Sequence, residues 1–314
     1  MISAYFIVPS YSRIKTGIYI KKRLKRLGIP LLFYTITIGP FLLYIKAFFV
    51  SGYKVNFFSF YYNYIIKNII IETGPLWFVE VLLIFTLIFI AIIETIKKIK
   101  NKKIITKKES QNFPENYKLY VFILILTVVT FISRLWFPIG GTAIGQLSFF
   151  PQYILLFVFG IFAYINNWFE KITYRKAIFW FKTLTITAPL WLLILYLSGT
   201  FKEGTITKFV GGFHWQAFLY SLWESILCVS ISICIIYFFR EKLNFQNKFL
   251  KILSVSAYTV FIIHPLIIYP LAFLIRAYDL HPLIKFLTVS VIGLTLSFLI
   301  GILVRKIPSF KKIL

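Results

Sequence analysis

Residues 75–94 read PLWFVEVLLIFTLIFIAIIE, an apolar run with two acidic residues and no basic one. A run of about 20 apolar residues is long enough, as an α-helix, to cross the ~30 Å hydrocarbon core of a bilayer. Backbone N–H and C=O groups in that core need partners within their own segment, so the run predicts a helix and not a strand. Seven similar runs occur elsewhere in the chain. Because the pattern occurs eight times, it determines the predicted fold.

The composition agrees with that interpretation. Of the 314 residues, 59% are hydrophobic and only 14% are charged, whereas soluble domains carry about 25% charged residues. A soluble enzyme, a disordered chain and a fibrous protein are therefore excluded. The sequence predicts an all-α integral membrane protein, a polytopic bundle of about eight transmembrane helices forming a single domain over residues 1–314. The expected spans are 29–50, 75–94, 119–137, 149–165, 179–198, 215–239, 253–275 and 284–304.

The net charge of +25 follows from the membrane topology. Of the 35 Lys and Arg residues, 27 lie before the first span or beside the loops after the second, fourth, sixth and eighth spans. Basic residues concentrate on the cytoplasmic side of membrane proteins, so both termini are expected there. The expected location is the plasma membrane of a bacterium, with membrane lipids as partners and no nucleic acid.

Four ionisable side chains lie inside predicted spans: Glu80, Arg134, Glu224 and His264. Burying such groups in lipid costs a few kcal/mol, so each is a functional hypothesis. With a rise of ~1.5 Å per residue, all four lie in the middle or outer half of the bilayer, where they could face one hydrated cavity.

Structural roles are open alternatives for the same four residues. Glu80 and Arg134 lie at similar depth on consecutive spans and could neutralise one another, and Glu224 could complete a hydrogen-bond network. His264 precedes Pro265, and its ring N–H could satisfy a carbonyl that the proline leaves unpaired. His264 is also the only histidine within a span, and imidazole is the usual proton acceptor near neutral pH.

The remaining histidines and the cysteines give weaker indications of function than the four ionisable residues within the spans. His214 lies at the outer edge of a span, where it could contact an external substrate or have no function. The three histidines and two cysteines have no zinc-ligand spacing, so no metal site is expected.

Several sequence blocks together resemble the membrane acyltransferase 3 family. Gly74-Pro-Leu-Trp77-Phe-Val-Glu80 and the five residues that follow look like one signature of that family, with Val81 where the family has alanine. The other matching blocks, in chain order, are KRLKRLGIPLLFY at 22–34, ISRLWFPIG at 132–140, FPQYILLFVFG at 150–160, LWES at 222–225, FFREKLN at 238–244 and LSVSAYTVFIIHP at 253–265.

The resemblance implies a membrane enzyme of about ten spans that passes an acyl group, often acetyl from acetyl-CoA, to a hydroxyl of a carbohydrate or cell-envelope acceptor. The family's best-known catalytic groups are an arginine and a histidine on its first span. Residues 1–10 resemble the end of the family's second span. The chain is therefore expected to begin about two spans late, without those two groups, and to be inactive if nothing precedes it.

In an intact homologue the first-span histidine is the expected base, and we hypothesise that the ionisable residues within the spans line the transfer cavity and orient the substrates. In this chain His264 and Glu224 are the expected catalytic groups, and the expected substrate-binding residues are Trp77, Glu80, Arg134 and His214. The basic residues Arg23 and Arg26 are expected to attract the phosphates of acyl-CoA, the donor substrate, although topology and anionic headgroups also account for them. No bound cofactor is expected.

Two other functions remain open at this level. Polar groups at the midplane also suit a transporter, although no internal repeat is recognisable in the sequence. A non-catalytic membrane remnant is the other alternative.

Overall fold

A computed structural model describes residues 1–52, 55–67, 73–100, 111–140, 145–200 and 207–308. Helices make up 86% of these residues, and no strand occurs among them. Eight of the described helices are long and apolar enough to cross a membrane. The predicted fold class, an all-helical polytopic membrane protein, is thus confirmed. Much of the predicted basic loop after the second span, residues 101–110, lies outside the described residues.

Eight long helices follow the predicted apolar runs, and a shorter helix, α1 (Ile2–Ser12), precedes them. The long helices are α2 (Thr16–Ser51), α3 (Gly74–Ile99), α4 (Asn116–Trp136), α5 (Leu147–Ile165), α6 (Tyr174–Leu197), α7 (Trp215–Glu241), α8 (Lys248–Arg276) and α9 (Pro282–Lys306). The largest difference from the expected spans is in α2, which begins 13 residues before the predicted start at residue 29. The helix there continues through the basic block at 21–26.

The chain divides into two compact units. The first unit comprises Met1–Arg13 and Lys100–Phe245 and holds α1 and α4 to α7. In it α7 packs against α4 and α6, and α1 packs against α5. Buried Leu119, Trp180 and Val229 belong to its apolar core. The prediction of one domain over residues 1–314 stays a prediction.

The second unit comprises Ile14–Ile99 and Gln246–Leu314 and holds α2, α3, α8 and α9. Its most extensive contact joins α8 to α9. A Cβ atom at Gly301 would lie 2.9 Å from Cγ2 of Val260, and one at Gly293 would lie 3.2 Å from Cγ1 of Ile268. Small residues let membrane helices approach closely in this way, so glycine at both positions explains the tight α8–α9 hairpin.

Much of the apolar surface of the spans faces outward. On α6, Ile186, Leu192 and Leu197 are 66%, 65% and 73% exposed. Exposed apolar surface on this scale is unfavourable in water and is expected for helices that face lipid.

Prolines interrupt the hydrogen bonding of α2, and tyrosines compensate. Pro30 cannot donate an N–H to the carbonyl oxygen of Arg26, and the Tyr258 hydroxyl donates to that oxygen at 3.0 Å. Pro40 likewise leaves the carbonyl of Ile36 without its helical donor, and the Tyr61 hydroxyl lies 3.1 Å from it. Side-chain donors that replace missing backbone donors are what permits prolines within membrane helices.

Candidate functional site

The second unit contains a cavity of about 480 Å³, here called the His264 cavity. Residues of α2, of the start of α3 and of the middle of α8 form its walls. The lining residues are Tyr34, Gly39, Leu42, Leu43, Lys46, Gly74, Pro75, Trp77, His264, Pro265, Ile268 and Tyr269. The structure therefore brings together two of the residues that the sequence proposed, Trp77 and His264.

The orientation of His264 follows from proline chemistry. Because Pro265 has no N–H, the carbonyl of Phe261 loses its helical donor. Nδ1 of His264 lies 2.9 Å from that oxygen and 3.3 Å from the carbonyl oxygen of Val260. A carbonyl oxygen only accepts hydrogen bonds, so Nδ1 is the donor in this contact, and Nε2 makes no hydrogen bond to the described residues. The structural role considered for this histidine is present, and it leaves Nε2 available.

The approach of α2 to the start of α3 is set by Gly74. Its φ of +46° lies in the left-handed region, which glycine adopts at little cost. A Cβ atom here would also collide with the hydroxyl of Tyr34. Trp77 follows within one turn and is half-buried in the cavity wall. Lys46 is exposed and is the one lysine or arginine among the described lining residues.

Glu80 lies one turn beyond Trp77 on α3 and is half-buried. It is not among the residues that line the His264 cavity. No described residue of the second unit forms a hydrogen bond or an ion pair with its carboxylate.

A second polar group of residues lies in the first unit. Arg134, near the end of α4, is fully buried. Its Nη1 donates to Oγ of Ser221 at 3.0 Å, and its Nη2 donates to Oε2 of Glu224 at 2.6 Å. Ser221 and Glu224 are three residues apart, so both lie on one face of α7. We call these three residues the Arg134 cluster.

Aromatic rings pack against the guanidinium of Arg134, and two glycines lie against its backbone carbonyl. The ring centres of Tyr220 and Phe149 lie 5.0 and 5.4 Å from its Cζ atom, within the range of cation–π attraction. Its Nε is buried and has no hydrogen-bond partner among the described residues. The N–H of Gly212 donates to the carbonyl oxygen of Arg134 at 3.2 Å. A Cβ atom at Gly211 would lie 2.8 Å from the same oxygen.

This geometry gives the buried arginine an acidic partner within its own unit. The charge of Arg134 is neutralised by Glu224, and its pairing with Glu80 stays a hypothesis. The pairing with Glu224 follows from the packing of α4 against α7. The alternative that Glu224 completes a structural network agrees with these contacts.

The other proposed residues lie apart from these two groups. His214 precedes α7 as its N-cap residue, is exposed, and makes no side-chain hydrogen bond to the described residues. Arg23 is half-buried on α2, and its Nε donates to the Tyr19 hydroxyl at 2.9 Å. The neighbouring Arg26 is exposed.

Sequence reasoning missed several residues of both groups. Tyr34, Lys46 and Tyr269 line the His264 cavity. Lys46 carried a signal, because it is one of few basic residues on the predicted outer side. Ser221 was also detectable, since it lies one turn before Glu224. The tyrosines had no such signal in a chain with 20 tyrosines.

Comparison with known proteins identifies the family of the chain. No curated protein and no solved structure matches it. One protein family, described as an acyltransferase domain, matches residues 1–304, which is nearly the whole chain and includes the His264 cavity and the Arg134 cluster. The chain therefore belongs to this acyltransferase family, as a multi-pass membrane member.

Proposed function

We propose that this membrane acyltransferase transfers an acyl group from cytoplasmic acyl-CoA to a hydroxyl of a carbohydrate or cell-envelope acceptor. The acyl group that we propose is acetyl. The family membership supports acyl transfer, and the eight apolar helices support transfer within a membrane. The charge distribution supports a location in the cell membrane with both termini in the cytoplasm.

The geometry of His264 is the observation that carries the proposal. Nδ1–H is held by the Phe261 carbonyl, and Nε2 is left as the basic nitrogen of a ring that lines a cavity. A positioned imidazole accelerates proton transfer by about 10²–10⁴-fold.

In the proposed step, Nε2 accepts the proton of the acceptor hydroxyl while the oxygen attacks the thioester carbonyl. The new C–O bond forms as the C–S bond breaks. The imidazolium then returns the proton to the departing thiolate, so free coenzyme A and an ester are the products.

The other lining residues have the chemistry of a carbohydrate site. Trp77 and Tyr269 supply aromatic surface to the walls, and Lys46 supplies a donor without a described partner. Aromatic side chains offer rigid apolar faces with a polar edge, which suits a sugar ring. Glu80, one turn beyond Trp77, and His214 remain proposed contacts of the acceptor.

The Arg134 cluster has a positioning role in this proposal. Glu224 holds Nη2, Ser221 holds Nη1, and Nε is the guanidinium nitrogen without a partner among the described residues. We assign Glu224 to the orientation of Arg134 rather than to proton transfer, because its carboxylate is already engaged in the ion pair. Arg23 and Arg26 remain the proposed contacts of the coenzyme A phosphates.

The test is a transfer assay on membranes that contain the protein. Acetyl-CoA labelled in the acetyl group is added, and both free thiol and hydroxylamine-labile label in membrane carbohydrate are measured. We expect the wild-type protein to form free thiol and labelled carbohydrate in equal amounts. We expect His264→Ala to form neither product. His281→Asn is the matched control, since His281 only caps α9 through its Nδ1. Thiol release at background level, or label that enters vesicles as unreacted donor, would reject acyl transfer in favour of another function.

A further inference from the structure

A groove of about 670 Å³ lies in the second unit between the beginning of α8 and the end of α9. Four cationic side chains line it: Lys248 and Lys251 from α8, and Arg305 and Lys306 from α9. It shares no lining residue with the His264 cavity, and neither Arg23 nor Arg26 borders it. We call it the α8–α9 groove.

The charges of this groove have no acidic counterpart among its described lining residues. None of the described residues that line it is acidic. Lys248 and Lys251 lie in the first turn of α8, where the positive end of the helix dipole disfavours cations. Four like charges around one groove also repel each other, so a bound anion would relieve an unfavourable arrangement.

Arg305 supplies an independent indication of a missing partner. Its Nε is buried, with no hydrogen-bond partner among the described residues. A buried donor without an acceptor is costly, and phosphate oxygens are preferred acceptors for a guanidinium. The positive-inside rule explains basic residues at this end of the helices, but it requires neither a groove nor a buried unpaired donor.

The walls of the groove are apolar beside the cations. Ile252 and Val255 are 50% and 43% exposed and follow Lys251 along α8. Towards the middle of the membrane, the close contact of Gly301 with Val260 brings the two helices together. The groove thus places a cationic rim next to an apolar strip that leads along the helices.

We propose that the α8–α9 groove binds one anionic phospholipid. The headgroup phosphate lies among Lys248, Lys251, Arg305 and Lys306, and an acyl chain follows Ile252 and Val255. The charge distribution of the sequence places this end of α8 and α9 at the cytoplasmic leaflet, where anionic lipid attracts juxtamembrane cations. A soluble phosphate compound would use the cations but leave the apolar strip without a partner.

The test measures lipid retention by native mass spectrometry on the full chain purified in detergent. Dioleoyl phosphatidylglycerol and dioleoyl phosphatidylcholine are offered at equal concentration. The wild-type protein is expected to retain one phosphatidylglycerol in preference to phosphatidylcholine. Each cation removed should weaken that binding roughly fivefold. The quadruple variant K248Q/K251Q/R305Q/K306Q should have no preference, while Arg305→Lys should keep most of it.

The matched control removes the same number of charges elsewhere. Lys171, Arg175, Lys182 and Lys242 are exposed, belong to the first unit, and do not line the groove. Their replacement by Gln should leave the preference intact. If the quadruple groove variant fails to fold, Arg305→Gln alone is compared with wild type.

Three results would overturn the proposal. The first is an undiminished preference for phosphatidylglycerol in the groove variants, and the second is an equal loss in the control. The third is displacement of the lipid by millimolar inorganic phosphate or coenzyme A, which would assign the groove to a soluble phosphate.

Discussion

Nδ1 of His264 lies 2.9 Å from the carbonyl oxygen of Phe261, the oxygen that Pro265 deprives of its helical donor. The hydrogen bond fixes the tautomer and the orientation of the ring in one contact. His264 therefore contributes both to the stability of α8 and to the proposed chemistry of the His264 cavity. Experiments need to separate these two contributions.

The contribution to stability can be isolated by restoring the backbone donor. His264→Ala leaves the carbonyl of Phe261 without a partner, which is expected to cost about 1–3 kcal/mol of unfolding free energy. Adding Pro265→Ala returns an N–H four residues after Phe261, so the double variant should lose less than the sum of the single changes. Reversible unfolding in mixed detergent micelles measures the three values. Strict additivity would show that the two residues do not share this carbonyl.

The two residues of the buried ion pair should respond unequally to truncation. Arg134 is fully buried, whereas 20% of the Glu224 side chain is exposed. Removing one partner of a buried pair costs about 3–5 kcal/mol because the other charge stays without compensation. Glu224→Ala should therefore destabilise the protein more than Arg134→Met. The double variant Arg134→Met, Glu224→Met should recover part of the loss, and a double variant less stable than both single ones would disprove the coupling.

Gly211 should be intolerant of a side chain because of its position against Arg134. A Cβ atom there would lie 2.8 Å from the carbonyl oxygen of Arg134 and 2.7 Å from Cβ of Pro138. Gly211→Ala must shift backbone near the Arg134 cluster, at an expected cost of about 1–3 kcal/mol. Gly17→Ala is the control, since nothing lies within 4 Å of its Cβ position. Thermal unfolding compares the variants, and equal melting temperatures would refute the close packing.

The tyrosine that compensates for Pro30 should be important for α2. Tyr258→Phe removes the donor to the carbonyl of Arg26 and is expected to cost about 1 kcal/mol, the usual net value of one hydrogen bond. Restoring the backbone donor with Pro30→Ala should make the same tyrosine change nearly neutral. A Tyr258→Phe effect that is the same in both backgrounds would mean that the hydroxyl does not replace the proline's missing donor.

Sequence patterns predicted the fold better than the site, for a physical reason. An apolar run long enough to cross a bilayer predicts a membrane span from its own residues alone. Residues 75–94 and the seven similar runs could therefore be identified one at a time. The pairing of Arg134 with Glu224 joins residues 90 positions apart and depends on which helices pack together. Depth in the membrane alone does not reveal which helices pack together. Local chemistry was more informative, since the adjacency of His264 and Pro265 already suggested the hydrogen bond to a freed carbonyl.

The most direct test of the account compares acyl transfer by two variants with the same backbone. Pro265→Ala and the double variant His264→Ala, Pro265→Ala both supply a donor to the carbonyl of Phe261, but only the first retains Nε2. Single-turnover transfer from labelled acetyl-CoA, in membranes with equal amounts of folded protein, should be slower in the double variant, by at most about 10²–10⁴-fold, because Pro265→Ala also competes for the carbonyl that orients His264. Equal rates in the two variants would contradict the assignment of His264 as the base.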